Sequence, residues 1–515
     1  MSPRSVPLPV ALVLGVGSGL LLDAAFPDRG IWPLAFVALG LLYTAVAVTR
    51  PSRAFLVGSL AGVAFFLPHL AWADYSVGML PWVALSVAQA LLMGLGCAAY
   101  GWAVRVPAVG RSAVVRPLVF AATWTAAEVL RSGWPFGGFP WGRVAFSQAD
   151  SPLGRFAWLG GAPLVSFLVV LVGALLATAV ARLLRGRLGA MGGYVIAAFV
   201  VVAGGLFVPL SGQAQAGVAK VGAVQGNVAE PGMGAFANRF EVLGNHVAGT
   251  TALLDRVAPG ELDLVVWPEN ASDVDPRKDQ RAATAIDGAA VAVDAPILVG
   301  TQQYVKDGRY NQGVLWVPGQ GIVQTYAKRK PAAFAEYIPN RELFRRFSKQ
   351  VDLVRTDMLA GTTPGVFQVS STRLGRDVGV GDIICFEVAY DAVVRSAVSA
   401  GAEVLVVQTN NANFGYTAES TQQLAMTRLR AIETGRAAVQ VSTVGVSAVV
   451  DPHGRVQQRT DLFTAEQMVA TMALRTSITP AVRAGDLPSM LVCALAGVAA
   501  AAGIVAAAAA RARRK

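Results

Sequence analysis

Long apolar stretches separated by short charged loops fill the chain through residue 210, and one more lies close to the last residue. They fall near 7–26, 31–49, 54–73, 80–104, 114–130, 157–181, 193–210 and 487–510, each close to the roughly 20 residues a helix needs to cross a bilayer. The 114–130 stretch is short and carries Glu128. Gly, Ala and Pro are frequent in all of them, as packed membrane helices require. The first has a signal-peptide look, but its apolar core is long, no small-x-small cleavage site follows, and more spans come after it, so it reads as a retained span. Between 217 and 480 the pattern changes. Val/Ile-rich runs at 219–225, 262–267, 296–304, 313–317, 378–385, 404–409 and 438–450 are bounded by Gly, Pro, Asn or Asp and predict strands. Residues 240–257 and 420–437 have helical periodicity. Strands alternating with helices predict an α/β domain whose sheet is covered by helices. The expected organisation is a polytopic membrane domain of seven helices over 1–212, a globular domain over 217–480, a C-terminal membrane helix at 487–510 and a basic tail at 511–515.

Charge orients this frame. The chain is 54% hydrophobic and 15% charged, where soluble proteins carry about a quarter charged residues. Its net charge of +11 gathers in loops: Arg4; Arg50 and Arg53; Arg105, Arg111 and Arg116; Arg182, Arg185 and Arg187; and the tail Arg511, Arg513, Arg514 and Lys515. Eight spans put all of these on one face, which the positive-inside rule makes cytoplasmic together with both termini. Asp23, Asp28 and Asp74 fall on the other face, and so does 217–480. The basic charge is therefore topological, and no nucleic-acid partner is expected. The loop at 131–155 is rich in aromatics (Trp134, Phe136, Phe139, Trp141). Periodicity leaves two readings open for it, an interfacial aromatic belt or a re-entrant segment that helps present an acyl chain.

The candidate chemistry lies in the globular domain. Three widely spaced cysteines, Cys97, Cys385 and Cys493, make no disulfide framework, and only Cys385 is outside an apolar span. It ends the apolar run Ile383-Ile384-Cys385 and is followed by Phe386 and Glu387. A thiol needs a base and a charge stabiliser to act as a nucleophile at neutral pH. Glu269, just past one apolar run, and Lys328, just past 321–326, suit those roles, with Glu336 eight residues beyond the lysine. Strand ends are where such folds gather reacting groups. His69, His246 and His453 are isolated and read as structural, so neither a Cys-His protease nor a metal site is expected; there is also no Gly-x-Ser-x-Gly elbow or phosphate-binding loop. Taken singly, Glu269 suits a helix cap, Lys328 a solvated basic run and Cys385 a core thiol. Their joint placement at strand ends argues for catalysis.

These residues also carry a resemblance. Val265-Val266-Trp267-Pro268-Glu269, Tyr326-Ala327-Lys328-Arg329 with Phe334-Ala335-Glu336-Tyr337-Ile338-Pro339, and Ile384-Cys385-Phe386-Glu387 resemble the three catalytic motifs of the nitrilase (carbon–nitrogen hydrolase) superfamily. Set among eight spans, they resemble the apolipoprotein N-acyltransferase family. The likeness extends to Val224-Gln225-Gly226-Asn227, Tyr310-Asn311, the Asn410–Gly415 turn, and Glu128-Val129-Leu130-Arg131 with Phe139-Pro140-Trp141. It implies an extracytoplasmic αββα sandwich, with Glu269 as general base, Lys328 as oxyanion stabiliser, Cys385 as nucleophile, and Glu336 and Glu387 in support. It also implies ping-pong transfer of an acyl chain from a phospholipid, through a Cys385 thioester, to the amine of a diacylglyceryl-modified N-terminal cysteine in an apolipoprotein. The expected place is a bacterial inner membrane, and no cofactor is expected. The chain departs from the family pattern in the Pro331–Ala335 stretch, where a leucine-rich segment is usual and Ala335 replaces a glycine, and at Phe386 for tyrosine and Asn413 for tryptophan. The competing readings are a membrane-anchored carbon–nitrogen hydrolase that uses water as acceptor, and a non-catalytic lipoprotein-binding scaffold.

Overall fold

The computed structural model of the chain describes residues 6–47, 49–228 and 240–513; Arg4, Arg514 and Lys515 lie outside them. It divides into two compact units, one of residues 1–209 with 484–515, the other of 210–483.

In the first unit the principal helices are Leu8–Ala24, Leu34–Val46, Pro51–His69, Met79–Ala103, Val115–Gly133, Ala157–Leu183, Leu188–Gly204 and Leu487–Ala512. Helix packing here works through small residues. A β-carbon on Gly62 of Pro51–His69 would fall 2.6 Å from the backbone of Ala90 in Met79–Ala103, so glycine lets the two backbones meet. Cys97 does the same kind of packing, its Sγ lying 2.6 Å from where a Gly58 side chain would begin. The aromatic loop is divided by burial. Trp134 and Phe136 are exposed, whereas Trp141 is buried and packs edge-on against Trp72 at 5.3 Å. Arg131, read as part of that loop, ends the Val115–Gly133 helix and donates to the carbonyls of Phe139 and Trp141. Its guanidinium therefore holds the returning chain against the helix that precedes it.

The second unit contains two six-stranded sheets. The strands are β1 Val218–Gln225, β2 Leu264–Val266, β3 Ile297–Val305, β4 Gly308–Val317, β5 Gly321–Ala327, β6 Val366–Ser371, β7 Arg376–Ile384, β8 Val404–Thr409, β9 Ala438–Ser442, β10 Ala448–Val450, β11 Val456–Arg459 and β12 Glu466–Ala473. One sheet runs β12-β1-β2-β3-β4-β5, the other β11-β10-β9-β8-β7-β6. β1-β2-β3 and β7-β8-β9 are parallel, and their neighbours antiparallel. The period-two alternation of a strand sorts their side chains. Leu264, Val266, Leu298 and Leu315 meet Phe367, Val380, Ile384 and Val406 in the core between the sheets. Val265, Trp267, Ile297 and Val299 point the other way, into a second core with Leu243 of helix Glu241–Ala252 and Ile286 and Ala290 of helix Gln280–Val293. Helices Asp391–Ser399 and Glu419–Thr434 flank the second sheet. The result is an αββα sandwich.

Several elements differ from the sequence expectation. The run 438–450 is two strands, β9 and β10, paired antiparallel around the turn at 443–447. The strand expected over 262–267 is only Leu264–Val266, because the chain must turn at Pro268. Strands β6 and β12 and helices Gln280–Val293 and Asp391–Ser399 have no counterpart in the periodicity reading.

Candidate active site

β2 delivers Glu269. Beyond Val266 the chain leaves the sheet but stays anchored: the Trp267 amide donates to Leu298 O at 2.9 Å, and Gln408 Nε2 donates to Trp267 O at 2.6 Å. The loop lies directly on β3, where a β-carbon on Gly300 would sit 2.2 Å from Pro268 O. Glycine at 300 is thus a condition for Glu269 being where it is. The Glu269 carboxylate is buried, and its Oε1 accepts from Asn311 Nδ2 of β4 at 2.5 Å and from Lys328 Nζ at 3.3 Å.

Lys328 follows β5, held by its amide to Asn311 O at 2.9 Å. It is 1% exposed, with Nζ between two carboxylates, Glu269 at 3.3 Å and Glu336 at 2.7 Å. Burial works against its charge, but Glu269, Glu336 and Cys385 outweigh that and hold Lys328 well above the usual lysine value. The ammonium therefore stays protonated through the physiological range. Glu336 is itself fixed by the Ala332 amide at 2.6 Å. The left-handed residue of this turn is Phe334, with φ 66°, so the alanine at 335 does not occupy the position that demands glycine.

Cys385 stands where β7 ends, with φ 54°. A non-glycine residue in that region costs on the order of 1–3 kcal/mol and is kept only where the surroundings enforce it. Two buried groups do so. Glu387 accepts from the amides of Arg329 at 2.6 Å, Lys330 at 3.1 Å and Ile384 at 3.0 Å, and from the Tyr326 hydroxyl at 2.9 Å. One carboxylate thereby ties the lysine loop to the cysteine turn. Burial holds the Glu387 pKa above its ordinary value, and the Ile384 amide, Lys328, the Arg329 amide and the Tyr326 hydroxyl offset that only in part. From the other side, Arg430 donates to the carbonyls of Val388 and Ala389, both at 2.8 Å, and pairs with Asp391 and Glu433.

The half-buried Cys385 thiol is the point of convergence. Burial raises its pKa first, then Glu269; Lys328 lowers it, Glu419 raises it and a hydrogen bond from Thr409 lowers it. Left alone this thiol stays protonated at neutral pH, so a base is part of the chemistry. Glu269, Lys328, Glu336, Cys385 and Glu387 are thus brought into one neighbourhood. His246 is not part of it as a base: it is buried, its Nδ1 is 2.7 Å from Val242 O, and burial pushes it down to about 4. His453, at the 451–454 turn, lies 3.7 Å from Asp451. Sequence reasoning missed Thr409 and Glu419. Glu419 is buried, accepts from Asn411, and is pushed up to about 8 by burial, with Glu269 adding to the rise. Its only sequence signal is an acidic residue opening a helix, which ordinarily is solvent-facing.

An αββα sandwich presenting a thiol, two carboxylates and a lysine at its strand ends defines a carbon–nitrogen hydrolase domain, here in one chain with a membrane domain. A sequence profile for that superfamily matches residues 220–479, and one for the apolipoprotein N-acyltransferase N-terminal domain matches 18–175. The chain is 37% identical to an apolipoprotein N-acyltransferase of Mycolicibacterium smegmatis, over 96% of this chain and 84% of that one, and 31% identical to one of Azotobacter vinelandii, over 92% and 91%. Among solved structures, an amidase of the nitrilase superfamily from Nesterenkonia AN1 aligns with 53% of this chain and 96% of its own, at 14% identity and a TM-score of 0.39. The chain belongs to the apolipoprotein N-acyltransferase family, whose members are acyltransferases.

Proposed function

We propose that this enzyme moves one acyl chain from a phospholipid to the α-amine of a diacylglyceryl-modified N-terminal cysteine, by way of a thioester on Cys385. The observation that carries the reading is the meeting at Cys385 of a buried carboxylate, Glu269, and a buried permanent cation, Lys328. In the first half-reaction Glu269 takes the thiol proton, and Sγ attacks the ester carbonyl carbon. Lys328 faces the charge that develops on the carbonyl oxygen, an arrangement effective because the cation is buried and fixed in advance. The tetrahedral centre collapses with loss of the ester C–O bond, and the proton on Glu269 passes to the departing lysophospholipid oxygen. In the second half the amine attacks the thioester carbon and gives its proton to Glu269. The C–S bond breaks, the thiol is restored and an amide remains. Two easier barriers replace one direct ester-to-amide step.

The loop charges support eight spans, with both termini in the cytoplasm and the catalytic domain on the extracytoplasmic face of a bacterial inner membrane. Five described helices are long and apolar enough to cross a bilayer, and the shorter Leu8–Ala24 and Leu34–Val46 are also apolar. The test is direct. The purified protein is incubated with phospholipid and a diacylglyceryl lipopeptide, and products are followed by mass. N-acylated peptide and lysophospholipid in equal amounts, with an acyl adduct on Cys385 when peptide is withheld, are expected. Free fatty acid without acylated peptide would instead mean a hydrolase.

A further inference from the structure

Besides the two charged groups, one neutral donor reaches the Cys385 sulfur. The parallel register pairs Ile384 of β7 with Gln408 of β8, and Thr409 of β8 with Ser442 of β9. Three adjacent parallel strands therefore end in step, at Cys385, Thr409 and Ser442. Thr409 Oγ1 lies 3.6 Å from Cys385 Sγ, within hydrogen-bonding range for sulfur. The same hydroxyl lies 2.8 Å from Gln423 Oε1 and 3.5 Å from Asn411 Oδ1. It has one proton to give.

The surroundings decide where that proton goes. Thr409, Asn411, Gln423 and Glu419 are all buried, at 0%, 1%, 0% and 3% exposure, so water does not compete. Asn411 Nδ2 donates to Glu419 Oε2 at 2.5 Å and to Gln423 Oε1 at 3.2 Å, while Asn411 Oδ1 accepts from Ser442 Oγ at 2.6 Å. Gln423 Oε1 thus keeps a donor, Asn411, whichever way Thr409 turns. With a neutral thiol, a weak acceptor, the shorter bond to Gln423 wins. With a thiolate the balance reverses, since hydrogen bonds to an ionised acceptor are roughly twice as strong as neutral ones.

We infer that Thr409 is a further catalytic residue, a hydroxyl that rotates from Gln423 to Cys385 when the sulfur becomes negative, with Asn411, Gln423 and Glu419 as the positioning residues that permit the turn. The inference rests on Cys385 being the nucleophile. Its chemistry needs no additional reactant. The thiol proton goes to Glu269 as before, the Thr409 proton stays on its own oxygen, and only the hydrogen bond changes acceptor. The same donation assists the second half-reaction, where the C–S bond breaks and the sulfur leaves as thiolate. The titratable groups facing that sulfur are Glu269 from the loop after β2, Lys328 from the end of β5 and Glu419, a buried acid pushed up to about 8, from the Glu419–Thr434 helix. Thr409 answers its charge without adding one.

The experiment is alkylation of Cys385 by iodoacetamide across a pH series, in the full chain in detergent, quantified on the Cys385 peptide by mass spectrometry beside steady-state acyl transfer. Thr409→Val keeps the shape and removes the hydroxyl. It should raise the alkylation midpoint by about one pH unit, a tenfold loss of thiolate at fixed pH, and lower kcat by about tenfold or more with KM unchanged. Thr409→Ser should restore both, as a packing role would not. Thr409→Ala gives the same readout if the valine variant does not fold. An unchanged midpoint and kcat in the hydroxyl-free variants overturns the inference and leaves Cys385 untouched. Acyl transfer surviving in Cys385→Ala removes the nucleophile reading itself, which is a separate result.

Discussion

Charge is buried in both units of this chain, but it meets different partners. In the membrane unit Glu128 and Arg131, one turn apart on Val115–Gly133, are 3% exposed and face mainly the backbone and neutral polar groups. Glu128 accepts from the Val144 amide at 2.9 Å and Trp124 Nε1 at 3.1 Å. Arg131 donates to the Phe139 and Trp141 carbonyls at 3.0 and 2.6 Å and contacts Gln89. In the catalytic unit Lys328 makes its contacts with side chains, Glu269 and Glu336. A charge bound to backbone fixes the course of the chain and has little freedom to answer a new charge. A cation shared by two carboxylates can answer one, because its partners adjust as an oxyanion forms. Glu387 belongs with the first kind despite its place beside Cys385: three of its donors are backbone amides.

The sharpest way to break this distinction is Lys328→Met. The chain keeps a side chain of similar length but loses the charge proposed to face the developing oxyanion. Removal of one preorganised donor of this kind costs about a hundred- to a thousandfold in rate. Formation of the Cys385 thioester, timed by intact mass after rapid quenching, should slow by that much while far-UV circular dichroism stays native. A loss of threefold or less would mean that Lys328 is structural like Arg131.

Arg131→Met is the converse. It strands the Phe139 and Trp141 carbonyls, and a buried acceptor left without its donor costs about 1–3 kcal/mol. The thermal midpoint in detergent should fall by several degrees, while the pH profile of Cys385 alkylation in the folded fraction stays that of the parent. A shift of that profile would show that the two charge clusters are one system.

The same contrast explains what the sequence made legible. Cys385, Glu269 and Lys328 sit at or just past the ends of runs that read as strands, so their places could be read from the pattern and from motif spacing. Thr409 ends such a run as well, yet its role depends on the register of β7 against β8, which no single stretch encodes. Helix Gln280–Val293 buries Ala282, Ile286, Ala289, Ala290 and Val293, a full helical stripe, but three of its five members are alanine and the contrast with the polar face is faint. Strand β12 begins Glu-Gln and buries only Met468, Ala470 and Met472, and its place beside β1 joins positions some 250 residues apart. Glu387 was read as support from its motif position. That it does so by pinning the backbone at 329, 330 and 384 is a three-dimensional fact. The aromatic loop has two readings from periodicity, and which of its residues are exposed (Trp134, Phe136) and which buried (Trp141) is set by tertiary packing that the pattern does not encode.

The smallest effect concerns Glu419, a buried acid that takes the backbone-like role without any backbone donor. Its folded-state pKa is raised from 4.5 to about 8, by burial first and by Glu269 next, against the Asn411 hydrogen bond that lowers it. The folded protein therefore binds a proton at this site that the unfolded chain has released above its own value of 4.5. By linkage the contribution to stability is whole below pH 4.5 and declines as pH rises towards about 8, by an amount on the order of a few kcal/mol. Glu419→Gln fixes the site in a neutral form that still accepts from Asn411, so this part of the alkaline decline should vanish. Thermal midpoints measured from pH 5 to pH 8.5 should show the variant losing less stability than the parent as pH rises to about 8, with the two converging at the acid end and running parallel above pH 8. Parallel curves throughout would mean that Glu419 is ionised in the folded state. Asn411 would then be holding a carboxylate in place, and the neutral character assigned to the Thr409 side of the sulfur would be wrong.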